Sequence, residues 1–477
     1  MPQPCALVWF RNDLRVSDHP TLAMAAASGL PLLCLYILDA ESPGLRPPGG
    51  ASLWRLDRAL AALERELASR GGELHFLRGP AETLLPEVAR AANAQRIFWS
   101  RRYSGAEIAL DIRLKQALRE QGREAYSCNA SLLAEPWQVI SKSGGAFKVF
   151  TPFWRALREK IAPPPPLPAP ERLSAAPWPA GAPQSLAREA LRLAPSRPNW
   201  AAGFPDPDAG EAGARKRLGE FLDHTVEHYA TNRDRLDRDA TSRLSAHLHF
   251  GEISPRQIIS AAPPHPGADK FLAELGWREF SCHLLYANPD LAWRNFNPRF
   301  DGFPYRADDS AQKDLPAWRR GETGYPVVDA AMRELWTTGF MHNRARMVVA
   351  SFLTKHLLID WREGESWFWD TLIDADEANN AASWQWVAGC GADAAPYFRI
   401  FNPVLQGEKF DPDGAYVRAH CPELAGLPMS CLHKPWAAPA SVLAEAGLRL
   451  GETYPRPIVD HDFARRRALD AFTMMTA

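Results

Sequence analysis

Short apolar runs alternate with amphipathic stretches over the first 130 residues, and this alternation constrains the fold more than any other feature. Strand–helix alternation with short connections favours right-handed crossovers, so we expect an α/β domain built on a doubly wound parallel sheet. Ligands of such sheets bind beyond the carboxyl ends of the strands, but no Gly-x-Gly-x-x-Gly follows Phe10, which argues against an NAD site. The predicted strands are 7–10, 32–38, 74–77, 96–100 and 124–128, and the predicted helices are 19–28, 52–70 (N-cap Ser52), 81–92 and 105–121.

Proline marks the end of this domain. Thirteen of the 42 prolines fall between residues 163 and 207, including the run 163–166. Because proline fixes φ and lacks an N–H donor, this stretch predicts an extended connector over the surface. Aromatic side chains before the prolines would pin the start of the connector to a core, namely Trp137, Phe150, Phe153 and Trp154.

Strand-like alternation disappears from residue 211 onward, where apolar residues recur at helical spacing. The helical stretches are 212–230, 243–250, 255–262, 269–287, 328–338, 342–358 and 365–373. We therefore expect an α/β domain at 1–135, a Pro-rich connector at 136–210, and a larger all-α domain at 211–477.

Composition excludes several classes of protein. The 55 basic and 56 acidic side chains give a net charge of −1, which excludes a wholly electrostatic nucleic-acid binder but leaves room for a basic groove. The seven cysteines form no Cys-x-x-Cys pair, which argues against a disulfide scaffold or zinc site and favours a reducing cytoplasm. Since no apolar run approaches the roughly 18 residues of a membrane span, we expect a soluble cytoplasmic protein.

Hydroxyl side chains cluster at the start of a predicted helix, in Thr241-Ser-Arg-Leu-Ser245. Free backbone N–H groups, hydroxyls and a guanidinium suit a phosphate or pyrophosphate. The same residues also suit an ordinary N-cap beside a surface arginine, so the motif alone leaves both interpretations open.

Two predicted helices carry polar and apolar side chains at i, i+3 and i+4, which places each set on one helix face. The sets are Glu274, Trp277 and Arg278, and Asn343, Arg346 and Met347. A pocket that stacks a nucleic-acid base and bonds its edge needs such a face. The alternative is a core tryptophan with a Glu–Arg pair at its rim.

Asp374 and Asp376 could pair with one of these arginines or hold a metal. Since no third ligand clusters with them, we predict no metal. Most of the 17 tryptophans belong to a core, although two or three are enough for a stacking platform or an electron path.

Taken together, these motifs resemble the photolyase/cryptochrome family over nearly the whole chain, and most of all its members that repair cyclobutane pyrimidine dimers. Trp9-Phe-Arg-Asn-Asp-Leu-Arg15 is similar to that family's opening strand and loop. The other matching segments follow in order at 229, 241–245, 274–280, 323–329, 342–347, 358–364, 374–379, 384–386 and 395–403.

By this resemblance the helical domain binds FAD in a bent conformation. Arg346 paired with Asp374 would balance the charge of a reduced flavin, and Asn379 would face N5, where an amide can donate or accept. The residues that the resemblance assigns to FAD are Tyr229, Thr241, Ser242, Arg243, Leu244, Ser245, Arg278, Asn343, Arg346, Asp374, Asp376 and Asn379.

The implied reaction is light-driven DNA repair, in which excited FADH⁻ passes an electron to a dimer that has left the duplex. Trp277 and Trp384 would stack on the flipped bases, and Glu274 would bond a thymine edge. The residues assigned to the lesion and to the DNA phosphates are Glu274, Trp277, Asn343, Arg344, Met347, Trp384, Arg233 and Arg399. We thus expect a monomer whose partner is dimer-containing DNA.

A tryptophan relay reduces the flavin in this family, and Trp384 and Trp361 match two of its members. Asp308 falls near the place of the surface member, so we expect Trp318, Trp386 or Tyr305 to replace it. The predicted catalytic set is Trp384, Trp361, Glu274, Asn379 and Trp318.

The family also implies a second, antenna chromophore. Glu107 matches half of an Asn-Glu pair that holds a folate, whereas Ala292-Trp293 stands where the folate branch has Cys-Lys. A folate such as methenyltetrahydrofolate is the first expectation, and a flavin or a deazaflavin stays open.

Three alternatives compete with this interpretation. A cryptochrome would signal without repair, but it usually carries a long tail and tends to place Asp or Cys at position 379. A (6-4) photolyase carries proton-donating histidines where this chain has Asn343 and Met347, and His342 lies about 100° round the helix from Asn343. An electron-transfer flavoprotein would not explain Trp277 and Trp384 beside a phosphate site.

Overall fold

A five-stranded, fully parallel sheet forms the first part of the computed structural model, which describes residues 3–142, 144–160, 165–394 and 398–476. Its elements are β1 (Cys5–Phe10), α1 (Pro20–Ala27), β2 (Leu32–Leu38), α2 (Gly50–Ala68), β3 (Leu74–Arg78), α3 (Ala81–Ala91), β4 (Ala94–Ser100), α4 (Gly105–Glu120) and β5 (Glu124–Cys128). The strand order is β3-β2-β1-β4-β5, which confirms the predicted doubly wound α/β domain.

Strands β1 and β2 are apolar and buried at every position, so this part of the sheet is covered on both faces. Val8 and Phe10 pack in a cluster with α1 and α2, whereas Leu7 and Trp9 pack on the opposite face with α3 and α4. Continuous apolar strands of this kind are typical of parallel sheets covered by helices on both sides.

Ser52 does not cap α2, contrary to the sequence-based prediction. The N-cap is Gly49, and the Ser52 hydroxyl lies in the first turn and donates to the carbonyl of Leu372 at 3.1 Å. The hydroxyl therefore ties the sheet domain to the helical part of the chain.

The second part of the chain is helical, as predicted. Its helices are α6 (Glu211–His224), α7 (Tyr229–Asn232), α8 (Ser245–His249), α9 (Pro255–Ala261), α10 (Pro266–Ala287), α11 (Asp309–Arg320), α12 (Pro326–Thr338), α13 (Asn343–Ser351), α14 (Trp361–Thr371), α15 (Glu377–Ala388), α16 (Pro403–Phe410), α17 (Ala415–His420), α18 (Met429–Leu432), α19 (Ala440–Glu445) and α20 (His461–Thr476). The helix predicted at 342–358 is shorter, because α13 gives way to a π-helical turn at Phe352–His356.

Residues 136–210 join the two parts. They contain helix α5 (Phe150–Lys160), and from 165 onward they run as irregular chain with one 3-10 turn at Arg188–Leu191. Phe153 is fully buried and packs on Phe280 of α10, as expected for an aromatic anchor. Farther on, Leu173 N–H donates to the carbonyl of Arg70 at 2.7 Å. Pro163 and Pro164 lie outside the described residues, and the boundaries at 135 and 210 stay predictions.

A buried charged cluster holds the sheet domain on the helical domain. Arg55 of α2 donates to Glu252 at 2.9 and 2.5 Å, and His247 Nδ1 lies 2.5 Å from the same carboxylate. All three side chains are almost wholly buried, so each depends on its partners to offset desolvation. His247 is therefore structural. None of the helices in the described ranges has the length and apolar character of a membrane span.

Candidate active site

A cavity of about 350 Å³ opens in the helical domain between α10, α13 and α15. It brings together almost every residue that the resemblance assigned to FAD or to the lesion. Lining it are Tyr229, Arg233, Thr241, Ser242, Arg243, Leu244, Ser245, Glu274, Trp277, Arg278, Asn343, Arg346, Met347, Asp374, Asp376, Asn379 and Trp384. Outside it lie Arg344, Arg399, Trp361 and Trp318.

The hydroxyl-rich segment at 241–245 forms one end of the cavity. The N-cap of α8 is Leu244, which makes no side-chain cap bond, so Thr241 and Ser242 are not the N-cap that the sequence allowed as an alternative. Within the described chain the hydroxyls of Thr241 and Ser245 have no hydrogen-bond partner. Arg217, which the sequence did not single out, holds the segment by donating to the carbonyls of Ser242 and Thr241, each at 3.0 Å.

A paired arginine and carboxylate lie deeper in the cavity. Arg346 Nη2 donates to both oxygens of Asp374 at 3.1 and 2.9 Å, and its Nε donates to the carbonyl of Met341 at 2.8 Å. Asp374 therefore pairs with an arginine. No group of three metal-ligating side chains occurs anywhere in the described ranges.

Asp376 caps α15 and fixes the amide of Asn379. Its Oδ1 accepts from Asn379 N–H at 2.8 Å and from Asn379 Nδ2 at 2.6 Å. Burial alone would raise the pKa of Asp376, but His249 and the nearby Arg278 charge hold that pKa well below its usual range. One N–H of Nδ2 donates to Asp376, so the second N–H and the amide oxygen of Asn379 remain, and the side chain can still either donate or accept.

Glu274 pairs with Arg233 and not with Arg278. Arg233 Nη1 makes a short contact with Glu274 Oε1, whereas Arg278 Nη1 donates to the carbonyl of Ser131 at 2.8 Å. The alternative of a core tryptophan rimmed by a Glu274–Arg278 pair is therefore wrong. Trp277 is half-buried and lines the cavity.

Asn343 and Met347 project from α13 into the cavity wall, and His342 does not join them. His342 is the N-cap of α13, where its Nδ1 accepts from Arg344 N–H at 3.1 Å. Burial lowers the pKa of His342 to about 4, so the ring is neutral near pH 7. The predicted orientation of His342 away from the pair is confirmed.

Tryptophans form the apolar wall of the cavity and the layer behind it. Trp384 packs against Phe368 and Trp318 at ring-centroid distances of 5.0 and 6.2 Å, and its buried Nε1 has no partner in the described chain. Trp361 is fully buried, and its Nε1 donates to Asn295 at 2.9 Å.

Trp318 is not the surface end of a relay. It is fully buried, and its Nε1 donates to the carbonyl of Val349 at 3.1 Å. The prediction that it replaces the surface member is therefore wrong, because the apolar spacing of α11 places this indole in the core.

The arginines predicted to bind DNA phosphates lie at the rim of the cavity or outside it. Arg344 pairs with Asp234 at 2.8 Å, and its guanidinium lies 4.5 Å from the Phe410 ring. Arg399 is exposed. Part of the matching segment 395–403, namely residues 395–397, lies outside the described residues.

A second cavity of about 230 Å³ lies beyond the carboxyl ends of the strands, where a doubly wound sheet binds its ligands. Its walls include Trp9, Tyr36, Arg46, Arg102, Glu107 and Glu377. Burial and the nearby Glu107 raise the pKa of Glu377 to about 7. Trp293 lies outside this cavity, half-exposed, with the Arg46 guanidinium 5.1 Å from its ring.

The first cavity fits FAD by its donor set. Two hydroxyls without a partner in the described chain suit a pyrophosphate, while a charge-balanced Arg–Asp pair and an indole N–H without a described partner suit a flat, polar ring system. The fold and this cavity define a two-domain binding protein whose main ligand lies in the helical domain.

Comparisons with known proteins agree with this class. Residues 6–171 match the family described as DNA photolyase, and residues 271–474 match the FAD binding domain of DNA photolyase. The deoxyribodipyrimidine photo-lyase of Agrobacterium fabrum is 48% identical, over 98% of this chain and 97% of its own. Cryptochrome-1 of Arabidopsis thaliana is 38% identical, over 99% of this chain and 70% of its own.

A solved structure of a photolyase has the same fold as this chain. The bacterial class III photolyase from Agrobacterium tumefaciens superimposes with a TM-score of 0.93 at 46% identity, covering 100% of this chain and 98% of its own. The chain belongs to the DNA photolyase family, and its helical domain is an FAD-binding domain.

Proposed function

We propose that this protein repairs cyclobutane pyrimidine dimers in DNA by light-driven electron transfer. One observation carries the proposal: a single cavity is lined both by the residues matched to FAD and by those matched to the lesion. The relatives named deoxyribodipyrimidine photo-lyase support it.

FAD, when bound and reduced, supplies on excitation the electron that splits the dimer. Thr241, Ser242 and Ser245 would bind its phosphates through hydroxyl and backbone N–H groups, in a segment that Arg217 holds in place. Arg346 would offset negative charge on the ring system, while Asp374 keeps that arginine oriented and prevents an excess of positive charge.

Asn379, held by Asp376, would hydrogen-bond the ring system. Asp376 engages one N–H of the amide, so the second N–H and the amide oxygen are left to donate to the ligand or accept from it. Leu244 and Tyr229 would pack beside the nucleotide, since both are buried in the cavity wall.

The lesion would enter between Trp277 and Trp384, because both indoles line the cavity and a flipped base gains about 1–3 kcal/mol by stacking on an aromatic ring. Glu274 would bond the thymine edge, which requires its short contact with Arg233 to rearrange. Arg233, Arg344 and Arg399 would neutralise phosphates beside the lesion.

The cyclobutane dimer is favoured over the (6-4) product because Asn343 and Met347 stand where a (6-4) photolyase carries proton-donating histidines. Asn343 and Met347 cannot supply a proton, and His342 is neutral and occupied in capping α13. Opening a cyclobutane ring by electron transfer needs no protein proton donor.

Trp384 and Trp361 would form the inner part of the relay that reduces the flavin. Their helices pack together, since Gly364 on the helix of Trp361 contacts the Trp384 indole. Tyr305 and Trp386 are the remaining candidates for the outer end, because both are partly exposed, in contrast to Trp318.

We further propose that an antenna chromophore binds in the second cavity. Glu107 and Arg102 lie together on its wall with 3.5 Å between charged atoms, and Trp9 and Tyr36 offer ring faces. A folate fits Glu107 through the N–H edge of its pterin ring. Glu107→Ala should lower the yield of extracted chromophore, whereas Glu124→Ala, at an exposed site of the same domain, should not.

The seven cysteines are free of disulfides, which supports a cytoplasmic location. The test of the main proposal is blue-light repair of ultraviolet-irradiated oligothymidylate with the flavin kept reduced. Absorbance should recover in light and not in darkness. No recovery with fully reduced flavin would favour a cryptochrome.

A further inference from the structure

The Trp277 indole belongs to a set of parallel rings that begins outside the cavity. The Phe150 ring lies 3.9 Å from it with 8° between the planes, and Trp154 is parallel to Phe150 at 6.3 Å and 9°. Phe150 starts helix α5 in the connector and does not line the cavity. One face of Trp277 is thus covered by a ring from another part of the chain.

Several contacts hold Phe150 in this position. Its N–H donates to Asp393 Oδ2 at 3.2 Å, and Phe280 meets both Phe150 and Trp277 edge-on, at 6.1 and 5.8 Å. Gly276 allows α5 to approach α10, because a Cβ there would lie 2.5 Å from Trp154 Cε3. Phe150 is nearly buried, so its ring has little room to rotate.

A covered indole is a prepared stacking surface. Immobilising a side chain on binding costs about 0.5–1.5 kcal/mol, and that cost is avoided where the side chain is already fixed. Because Phe150 lies at van der Waals distance from one face, the other face of Trp277 keeps a constant plane toward the cavity.

We infer that Phe150 is a positioning residue for lesion recognition, which fixes the Trp277 indole for stacking on a flipped base. This inference rests on the proposed function, since it assigns Trp277 to the lesion. Phe150 does not line the cavity, so it would reach the lesion only through Trp277, and its side chain has no donor for a phosphate. It therefore affects the preference for damaged DNA and not the affinity for undamaged DNA.

The experiment compares full-length, flavin-loaded variants by fluorescence anisotropy, using one oligonucleotide with and without a single cyclobutane dimer. Phe150→Leu keeps an apolar side chain but removes the flat ring. Phe153→Leu is the matched control, because Phe153 lies on the same helix and packs on Phe280 and His283 without stacking on Trp277. Melting temperature and flavin content are measured for each variant.

Phe150→Leu should weaken binding to damaged DNA about 3–10-fold, which corresponds to the typical strength of an aromatic pair. Binding to undamaged DNA should not change, and Phe150→Tyr should restore most of the preference. In a Trp277→Leu background, Phe150→Leu should have no further effect. Phe153→Leu should lower the melting temperature and leave the preference intact.

Distinct results overturn distinct claims. A wild-type protein without preference for the dimer would refute the proposed function. Two results would refute the role of Phe150. Either Phe150→Leu leaves the preference of the otherwise wild-type protein unchanged, or it lowers the preference in the Trp277→Leu background by the same factor as in the wild-type background. If Phe150→Leu does not fold, the Phe150→Tyr variant decides the question: a folded Phe150→Tyr variant that lacks the preference would refute the role of Phe150.

Discussion

Gly364 lies in the middle of α14, and we predict that Gly364→Ala destabilises the protein although alanine is the better helix former. A Cβ at this position would lie 2.1 Å from Cη2 and 2.5 Å from Cζ3 of Trp384. Carbon atoms pack at about 3.5–4.0 Å, so the indole would have to move by roughly 1.5 Å in a buried site. Overpacking of this kind costs about 1–3 kcal/mol, which exceeds the gain of about 1 kcal/mol in helix propensity.

Gly219→Ala is the matched control, because Gly219 also lies inside a helix and a Cβ there would meet no neighbouring atom within 4 Å. It should stabilise the protein by about 0.5–1 kcal/mol. The assay is thermal unfolding followed by circular dichroism, together with the ratio of flavin to protein after purification. The melting temperature of Gly364→Ala should be several degrees lower, because each kcal/mol of lost stability lowers it by roughly 2–4 °C. The variant should also hold less flavin. If both variants are stabilised and keep their flavin, the packing argument for Trp384 is wrong.

Three further predictions concern charge and electron flow. Asp374→Asn should lower stability by about 2–3 kcal/mol in denaturant titrations and reduce flavin content, because it leaves Arg346 unpaired; unchanged flavin content would contradict the role of the pair. Burial raises the pKa of Glu279 to about 7, so its ionisation opposes folding, and the free energy of unfolding should fall relative to Glu279→Gln as the pH rises from about 4.5 to 7. If the difference in free energy of unfolding between the wild type and Glu279→Gln stays constant from pH 4.5 to 7, this prediction is wrong. Trp384→Phe should block photoreduction of oxidised flavin but spare repair by chemically reduced protein, and photoreduction at the wild-type rate would mean that the relay runs elsewhere.

Local patterns predicted the fold because most of its elements are encoded locally. The strands β1 and β2 are buried on both faces, so their sequences are continuously apolar, and the ends of the predicted elements in the sheet domain fall within two residues of those observed. Helical spacing likewise brought Glu274, Trp277 and Arg278 to one face. The resemblance to a known family then assigned their roles.

Contacts between distant segments had no local signal. The sequence near Ser52 suggests a cap, and only the packed structure shows its bond to Leu372 across the domain boundary. Nothing in the sequence of the connector indicated that Phe150 stacks on Trp277, or that Arg217 holds the segment 241–245. Trp318 was misassigned because exposure depends on which helix face packs inward.

The most direct test of the account uses two oligonucleotides, one with a single cyclobutane thymine dimer and one with a single (6-4) product. Each is mixed with fully reduced protein and irradiated with blue light, and restored thymine is followed by chromatography. A cavity with Asn343 and Met347 in place of the histidines of a (6-4) photolyase should restore the cyclobutane dimer and leave the (6-4) product intact. Restoration of the (6-4) product, or no restoration of the cyclobutane dimer with the flavin reduced, would contradict the account.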